Sequence, residues 1–233
     1  MSNQAATLLS LFRLAQLADG TLPVGAFSFS LGLEAAVGEG IVSDAEELEE
    51  FARGALYVAA ESDCVILTEA FRAESCGDFT RVDALDHHLL TLKAGDEVRA
   101  MTLRMGNRLA TLLHSIAPSP RTAEYLLHLE SGTAVGSYPV VQAIAGVRLG
   151  IDEESLYAAH LYGVANTVVS SALRLMSITH FETQRILFRL GPLCERLYTL
   201  YADLSLDSLT NFAPLHELAA SLHERGQRRL FMN

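Results

Sequence analysis

Apolar positions recur along this chain at i, i+3, i+4 nearly from end to end, the spacing of one face of an α-helix. Leu8, Leu9, Leu11, Phe12, Leu14, Ala15 and Leu17 predict a first helix that ends at Asp19-Gly20. Residues 20–27 read as a loop with turn residues at its ends, and a second helix is predicted over roughly 28–38, stopped by Gly38-Glu39-Gly40. Ser43 followed by Glu46 forms a capping-box pattern. The acids Asp44, Glu46, Glu47, Glu49 and Glu50 then fall in the first turns of a helix over 44–60, where the helix dipole favours them. Helical periods continue near 63–74, 79–93 and 96–116, and resume after Pro118 and Pro120 near 121–131 and 139–149. Gly150 closes the last of these, and Asp152 can cap a long apolar stretch through Met176. A helix over about 180–201, a loop at 203–214 and a short helix near 215–225 complete the pattern, ahead of a tail at 226–233. Strand-like alternation is missing. The predicted class is all-α: a single-domain bundle of roughly ten helices over 1–225, followed by a C-terminal tail.

Composition narrows the class. The chain has 233 residues, half of them hydrophobic, so it can bury enough surface to fold. Charged residues interrupt every apolar run before the roughly 18 positions a membrane span needs, so no membrane partner is expected. The start, Met-Ser-Asn-Gln-Ala-Ala, lacks a basic leader segment, and Cys64, Cys76 and Cys194 are odd in number and widely spaced. Both point to a cytoplasmic, reducing setting. A net charge of −11 disfavours nucleic acid as a partner. Lys93 is the sole lysine and no Gly-x4-Gly-Lys-Ser/Thr motif occurs, so the chain should not hydrolyse nucleotide itself. Its arginines suit protein interfaces, though genomic base composition accounts for them equally well.

Chemical motifs are few. No His-Glu-x-x-His or paired cysteines at ligand spacing occur, and no nucleophilic triad can be assembled from spacing. His87 and His88 would point about 100° apart on a helix, and His216 and His223 would lie about 10 Å apart along one. Three features ask for more than a structural role. The apolar loop Leu22-Pro23-Val24-Gly25-Ala26-Phe27-Ser28-Phe29-Ser30 is either folded tightly under the helices or presented to a partner. Glu34, Asp63 and Glu97 each lie beside apolar residues, where a carboxylate needs an edge, a partner or a cation. The tail Arg228-Arg229-Leu230-Phe231-Met232 pairs bases with hydrophobes in the manner of a docking anchor.

These residues resemble one family. The stretch Leu14-x-x-Leu17-Ala18-x-x-x-Leu22-Pro23-Val24-Gly25-Ala26-Phe27-Ser28-Phe29-Ser30-x-Gly32-Leu33-Glu34 is similar to the N-terminal signature of the urease accessory protein UreF family, approximately Leu-Pro-Val-Gly-Gly-Phe/Tyr-Ser-x-Ser-x-Gly-Leu-Glu. The likeness continues through Asp63, Asp96-Glu97-Val98-Arg99, Arg104-Met105-Gly106, Ser171-Ala172-Leu173-Arg174-Leu175, Pro214-Leu215, His223-Glu224 and Arg229-Leu230-Phe231. Ala26 replaces a common glycine, the end reads Arg-Leu-Phe-Met-Asn in place of Arg-Leu-Phe-Arg-Ser, and Met176-Ser177-Ile178-Thr179-His180 stands where the family has Pro-Leu-Gly-Gln. The resemblance implies an all-α homodimer acting as a non-catalytic chaperone of nickel insertion. It would join UreD (also called UreH) and the GTPase UreG on urease apoprotein, promoting lysine carbamylation and nickel loading. It implies partner-binding roles for Arg174, His223, Arg228, Arg229, Leu230 and Phe231, and a nickel path past Glu34, Asp63 and Glu97. No cofactor is held permanently on this reading, and nickel passes transiently through the assembled complex. Arg174 would serve either as an arginine finger or to recognise the GTPase surface. Two other classes stay open: a helical enzyme built on scattered carboxylates and His223, and a helical regulatory binding protein.

Overall fold

The computed structural model describes residues 7–93 and 95–204. Within them every regular element is helical, and there is no strand. The elements in order are α1 (Leu8–Ala18), a 3-10 turn (Ala26–Ser28), α2 (Leu33–Gly38), α3 (Ala45–Ala59), a π turn (Ala60–Cys64), α4 (Val65–Cys76), α5 (Phe79–Leu92), α6 (Asp96–Ile116), α7 (Pro120–Ser131), α8 (Tyr138–Leu149), α9 (Glu153–Leu175) and α10 (His180–Tyr201). The predicted short helix at 215–225, its His216 and His223, and the tail with Arg228, Arg229, Leu230 and Phe231 lie outside the described residues.

Local chemistry sets the boundaries. Asp152 caps α9 by accepting from the Ser155 N–H at 2.8 Å, and Gly150 ends α8 in the left-handed region, both as the sequence predicts. Two expectations need correction. The second helix begins at Leu33 instead of 28, because Leu31 (φ 53°) and Gly32 (φ 83°) turn the chain through positive φ, which no helix admits. The cap of α3 is Asp44, not Ser43. Asp44 accepts from the Glu46 and Glu47 N–H groups, and Glu47 in turn accepts from Ser43 N and Oγ, so the reciprocal pair sits one residue later than read.

The helices enclose two apolar cores. One is built around α8, nearly all of whose length is buried, with α4, α5, α6 and α7 contributing Ile66, Leu85, Leu109 and Tyr125. The other lies between α2, α3, α9 and α10 and includes Leu33, Leu48, Leu56, Val168 and Leu190. α3, the π turn and α4 run as one unbroken rod from Ala45 to Cys76 that serves both. Ion pairs tie helices at the edges. Arg72 on α4 grips Glu153 on α9 through two bonds of 2.7 and 2.8 Å, and Arg121 on α7 holds the buried Glu74 on α4.

The segment between α7 and α8 is fixed by one carboxylate. Asp86 on α5 is fully buried and accepts from the N–H groups of Val135, Gly136 and Ser137 and from the Tyr125 hydroxyl, all within 2.7–2.9 Å. From the other side Gly106 on α6 lets the helix backbone approach the same segment: a Cβ there would stand 2.1 Å from the Gly136 carbonyl oxygen.

Candidate functional site

The loop between α1 and α2 is both folded under the helices and presented. Val24 and Phe29 are buried in the α8 core, and Ser30 is fully buried beside them. Phe27, between them in sequence, is 67% exposed. A single 3-10 turn produces this alternation by aiming its two flanks inward and its middle outward.

Arg174 meets Phe27 at the surface. Its guanidinium carbon lies 4.1 Å from the ring centroid, and its Nη2 donates to the Phe27 carbonyl oxygen at 3.1 Å. Stacking of a cation on an exposed ring contributes about 0.5–1 kcal/mol. Partial burial against the ring draws the Arg174 pKa down, while the negative charge of Glu34 pushes it the other way. Arg174 and Phe27 therefore form one patch, drawn from α9 and the loop, within electrostatic reach of Glu34 in the first turn of α2. The sequence flags Arg174 as a cation on an apolar helix; the structure puts it at that helix's exposed end, in the last turn of α9. The departing segment Ser177-Ile178-Thr179-His180 forms the adjoining turn into α10, where Thr179 caps the helix and Glu182 reaches back to it.

The three carboxylates do not share one environment. Asp63 sits in the π turn, largely buried, and its Oδ2 takes a bond of 2.7 Å from Lys93 Nζ. Lys93 is itself buried, so the pair neutralises itself inside the protein, with the ammonium standing where a cation beside Asp63 would sit. Glu34 lies at the Arg174 patch, and Glu97 in the first turn of α6. Of the three, Asp63 alone lines the cavity described next.

That cavity, about 460 Å³, lies beneath the α1–α2 loop and is walled by α3, α6, α8 and α9. Leu17, Val24, Phe29, Val58, Met101 and Val164 make it mostly apolar. Its polar wall carries the Asp63–Lys93 pair and His160 from α9. His160 Nδ1 lies 2.6 Å from Gln142 Oε1, so the ring donates there and leaves Nε2 as an acceptor, buried and without a protein partner. Burial lowers the His160 pKa from its ordinary 6.5, with the Asp63 and Lys93 charges opposing one another. Below pH 6.5 the unfolded chain takes up a proton that the folded ring refuses, so His160 subtracts stability as the pH falls and none of this penalty remains above it. Urea midpoints measured from about pH 7 to about pH 5 should decline, and His160→Gln should flatten that decline. An unaltered slope in the variant would show that the ring titrates normally.

Neither His160 nor Lys93 was marked as a site residue by the sequence. Their signals were slight: the sole lysine, and a histidine three residues past Tyr157 in an apolar run. His87 bonds the Thr133 carbonyl instead of a metal partner. Among the described residues no group of three or more His, Cys, Asp or Glu side chains could hold a metal ion, and the three cysteines are free thiols. Among them, too, no helix is long and apolar enough to cross a membrane.

Comparison with known proteins adds the lineage. A sequence profile described as UreF matches residues 42–191. The chain is 35% identical over 232 residues to urease accessory protein UreF 2 of Brucella suis, covering all of this chain and 96% of that protein. It is equally similar to urease accessory protein UreF 1 of Brucella melitensis over the same span. The urease accessory protein UreF of Yersinia enterocolitica is 35% identical over 223 residues, or 96% of this chain and 98% of its own length.

Proposed function

The chain belongs to the UreF family of urease accessory proteins, and on that premise we propose that it is a non-catalytic adaptor for nickel insertion into urease. In this reading a cytoplasmic homodimer joins UreD (UreH) to the GTPase UreG and brings both to urease apoprotein. Nickel is cargo of that assembly and is not held here as a resident cofactor. The observation that carries the reading is the Phe27–Arg174 patch. An exposed aromatic stacked under a guanidinium, with a carboxylate beside them, has the composition of an interface hot spot. The residues come from a loop and a helix that each resemble the family in sequence, and they meet only in the fold.

We assign this patch to recognition of the GTPase. The guanidinium lies across Phe27 and bonds its backbone, which limits its reach and suits capture of a surface carboxylate better than entry into a phosphate site. Arg174→Ala and Phe27→Ala are each expected to weaken co-purification of UreG at least tenfold and to lower nickel activation of co-expressed urease. The homodimer and the UreD complex should persist. Undiminished UreG capture with lost GTP turnover would move Arg174 to the finger role, and no change in either would remove the patch from the interface. The roles of Glu34, Asp63 and Glu97 in passing nickel, and of the tail in docking UreD, remain part of the same proposal.

A further inference from the structure

The mouth of the cavity beneath the α1–α2 loop carries a charge that the adaptor role leaves unused. The chamber behind it, about 460 Å³, is within the size range of small-molecule sites. Leu17, Val24, Val58, Met101 and Val164 give that chamber an apolar body. The buried polar groups of its lining are already spent. Asp63 and Lys93 neutralise each other at 2.7 Å. His160 Nδ1 bonds Gln142, its Nε2 is enclosed, and burial keeps the ring neutral at neutral pH. Thr102 accepts from the Tyr138 N–H at 3.1 Å, and burial pushes the Tyr138 hydroxyl pKa up to about 12, so it too is uncharged. No net charge faces the chamber from within.

The mouth differs. Asp19 and Gly20 are exposed where α1 ends, and α9 lies against them: a Cβ at Gly20 would stand 3.5 Å from Asn166 Nδ2. Asp19, Asn166 and Thr167 all line the cavity there. The Thr21 N–H donates to Asp19 Oδ1 at 2.7 Å and draws the carboxyl pKa down, so Asp19 is ionised at neutral pH. Among the described residues it makes no ion pair. Thr167 Oγ1 donates to the Gly163 carbonyl at 2.8 Å, and Asn166 Oδ1 accepts from Ser170 at 3.2 Å, so each oxygen keeps acceptor capacity. The lining thus carries one uncompensated negative charge, with two neutral acceptors beside it. A primary ammonium, with three N–H donors and no acceptor, is the complementary group.

We propose that this cavity binds a small primary amine with an apolar body, the body inside the chamber and the ammonium group at the mouth against Asp19, Asn166 and Thr167. An anion of the same shape would meet the Asp19 charge with no free cation to offset it, and a neutral molecule would forgo the ion pair.

The test titrates the full chain with 1-naphthylmethylamine at neutral pH and low ionic strength, followed by NMR of the ligand resonances. 1-Naphthalenemethanol, of the same shape but uncharged, and 1-naphthaleneacetate, an anion, are the controls. One saturable site per chain is expected. The amine should bind about threefold or more tighter than the alcohol, the scale of a single exposed ion pair, with the acetate weakest. Added salt should shrink the amine's advantage. Asp19→Asn keeps the size and the acceptor for Thr21, and should bring the amine down to the alcohol's affinity. Gly163 also lines the cavity, and a Cβ there meets nothing within 4 Å, so Gly163→Phe should occupy the opening and abolish binding of both. Circular dichroism checks that this variant is folded; if it is not, the Asp19→Asn comparison decides alone. No saturable site, equal affinity for amine and alcohol, or an amine advantage that survives Asp19→Asn would each overturn the proposal. So would undiminished binding in folded Gly163→Phe.

Discussion

Asp86→Ala is expected to remove on the order of 4 kcal/mol of stability, a large part of the ~5–15 kcal/mol that typically holds a domain together. The carboxylate is fully buried and satisfies three consecutive backbone N–H groups and the Tyr125 hydroxyl. Alanine would leave those donors without a partner where water has no access, at about 1–3 kcal/mol for each that stays unpaired. Asn at the same position keeps the size and one acceptor oxygen, but its NH2 would confront donors, so an intermediate loss should follow. Urea unfolding followed by circular dichroism measures both. A loss below about 1 kcal/mol in the alanine variant would mean that the 134–138 segment is held by its other contacts.

The second large effect comes from the opposite side of that segment. Gly106→Ala should destabilise by about 3 kcal/mol or more, at the upper end of overpacking costs. Helix propensity alone predicts the reverse, because alanine in a helix interior is favoured over glycine by about 1 kcal/mol. The sign is therefore diagnostic. The added Cβ would sit 2.1 Å from Gly136 O, 2.7 Å from Ser137 C and 2.8 Å from Tyr138 N, all backbone atoms that cannot swing aside. α6 would have to back away from the start of α8, opening the α8 core at its centre. For a chain of this length a melting point lower by about 10 °C is expected, and a melting point raised or unchanged would contradict the close approach.

Much of the fold could be read from periodicity because most helices are amphipathic and several are bounded by a recognisable residue, such as Asp152 and Gly150. What periodicity missed depends on backbone states that apolar spacing does not encode. Leu31 in positive φ delays α2, and the π turn shifts the start of α4 to Val65 within a stretch that reads as ordinary helix. The candidate site was legible in part. The loop 22–30 and Arg174 were singled out separately, and only the tertiary fold brings Phe27 under the guanidinium across 147 residues of sequence. The grouping of Glu34, Asp63 and Glu97 was a matter of similar surroundings in sequence, and helix packing distributes them over three settings. Asp86 carried no warning and His160 only a slight one, because a buried polar residue is recognised by its partners, and these partners lie far away in the chain or on another helix.

The π turn at Ala60–Cys64 has a consequence for how the molecule comes apart. An inserted position in a helix rotates everything beyond it by about 100°. The same rod thereby presents Leu48, Phe51 and Leu56 to one core and Ile66, Leu67 and Ala70 to the other. Either core can lose its packing only by releasing a side of that rod, and the released half remains covalently helical with the half still docked. Coupled melting is the expected result, with the two cores lost in a single cooperative transition. A one-residue deletion within the π turn would restore an ordinary helix and uncouple them, turning the buried stripe of one core toward solvent while the other stayed in register.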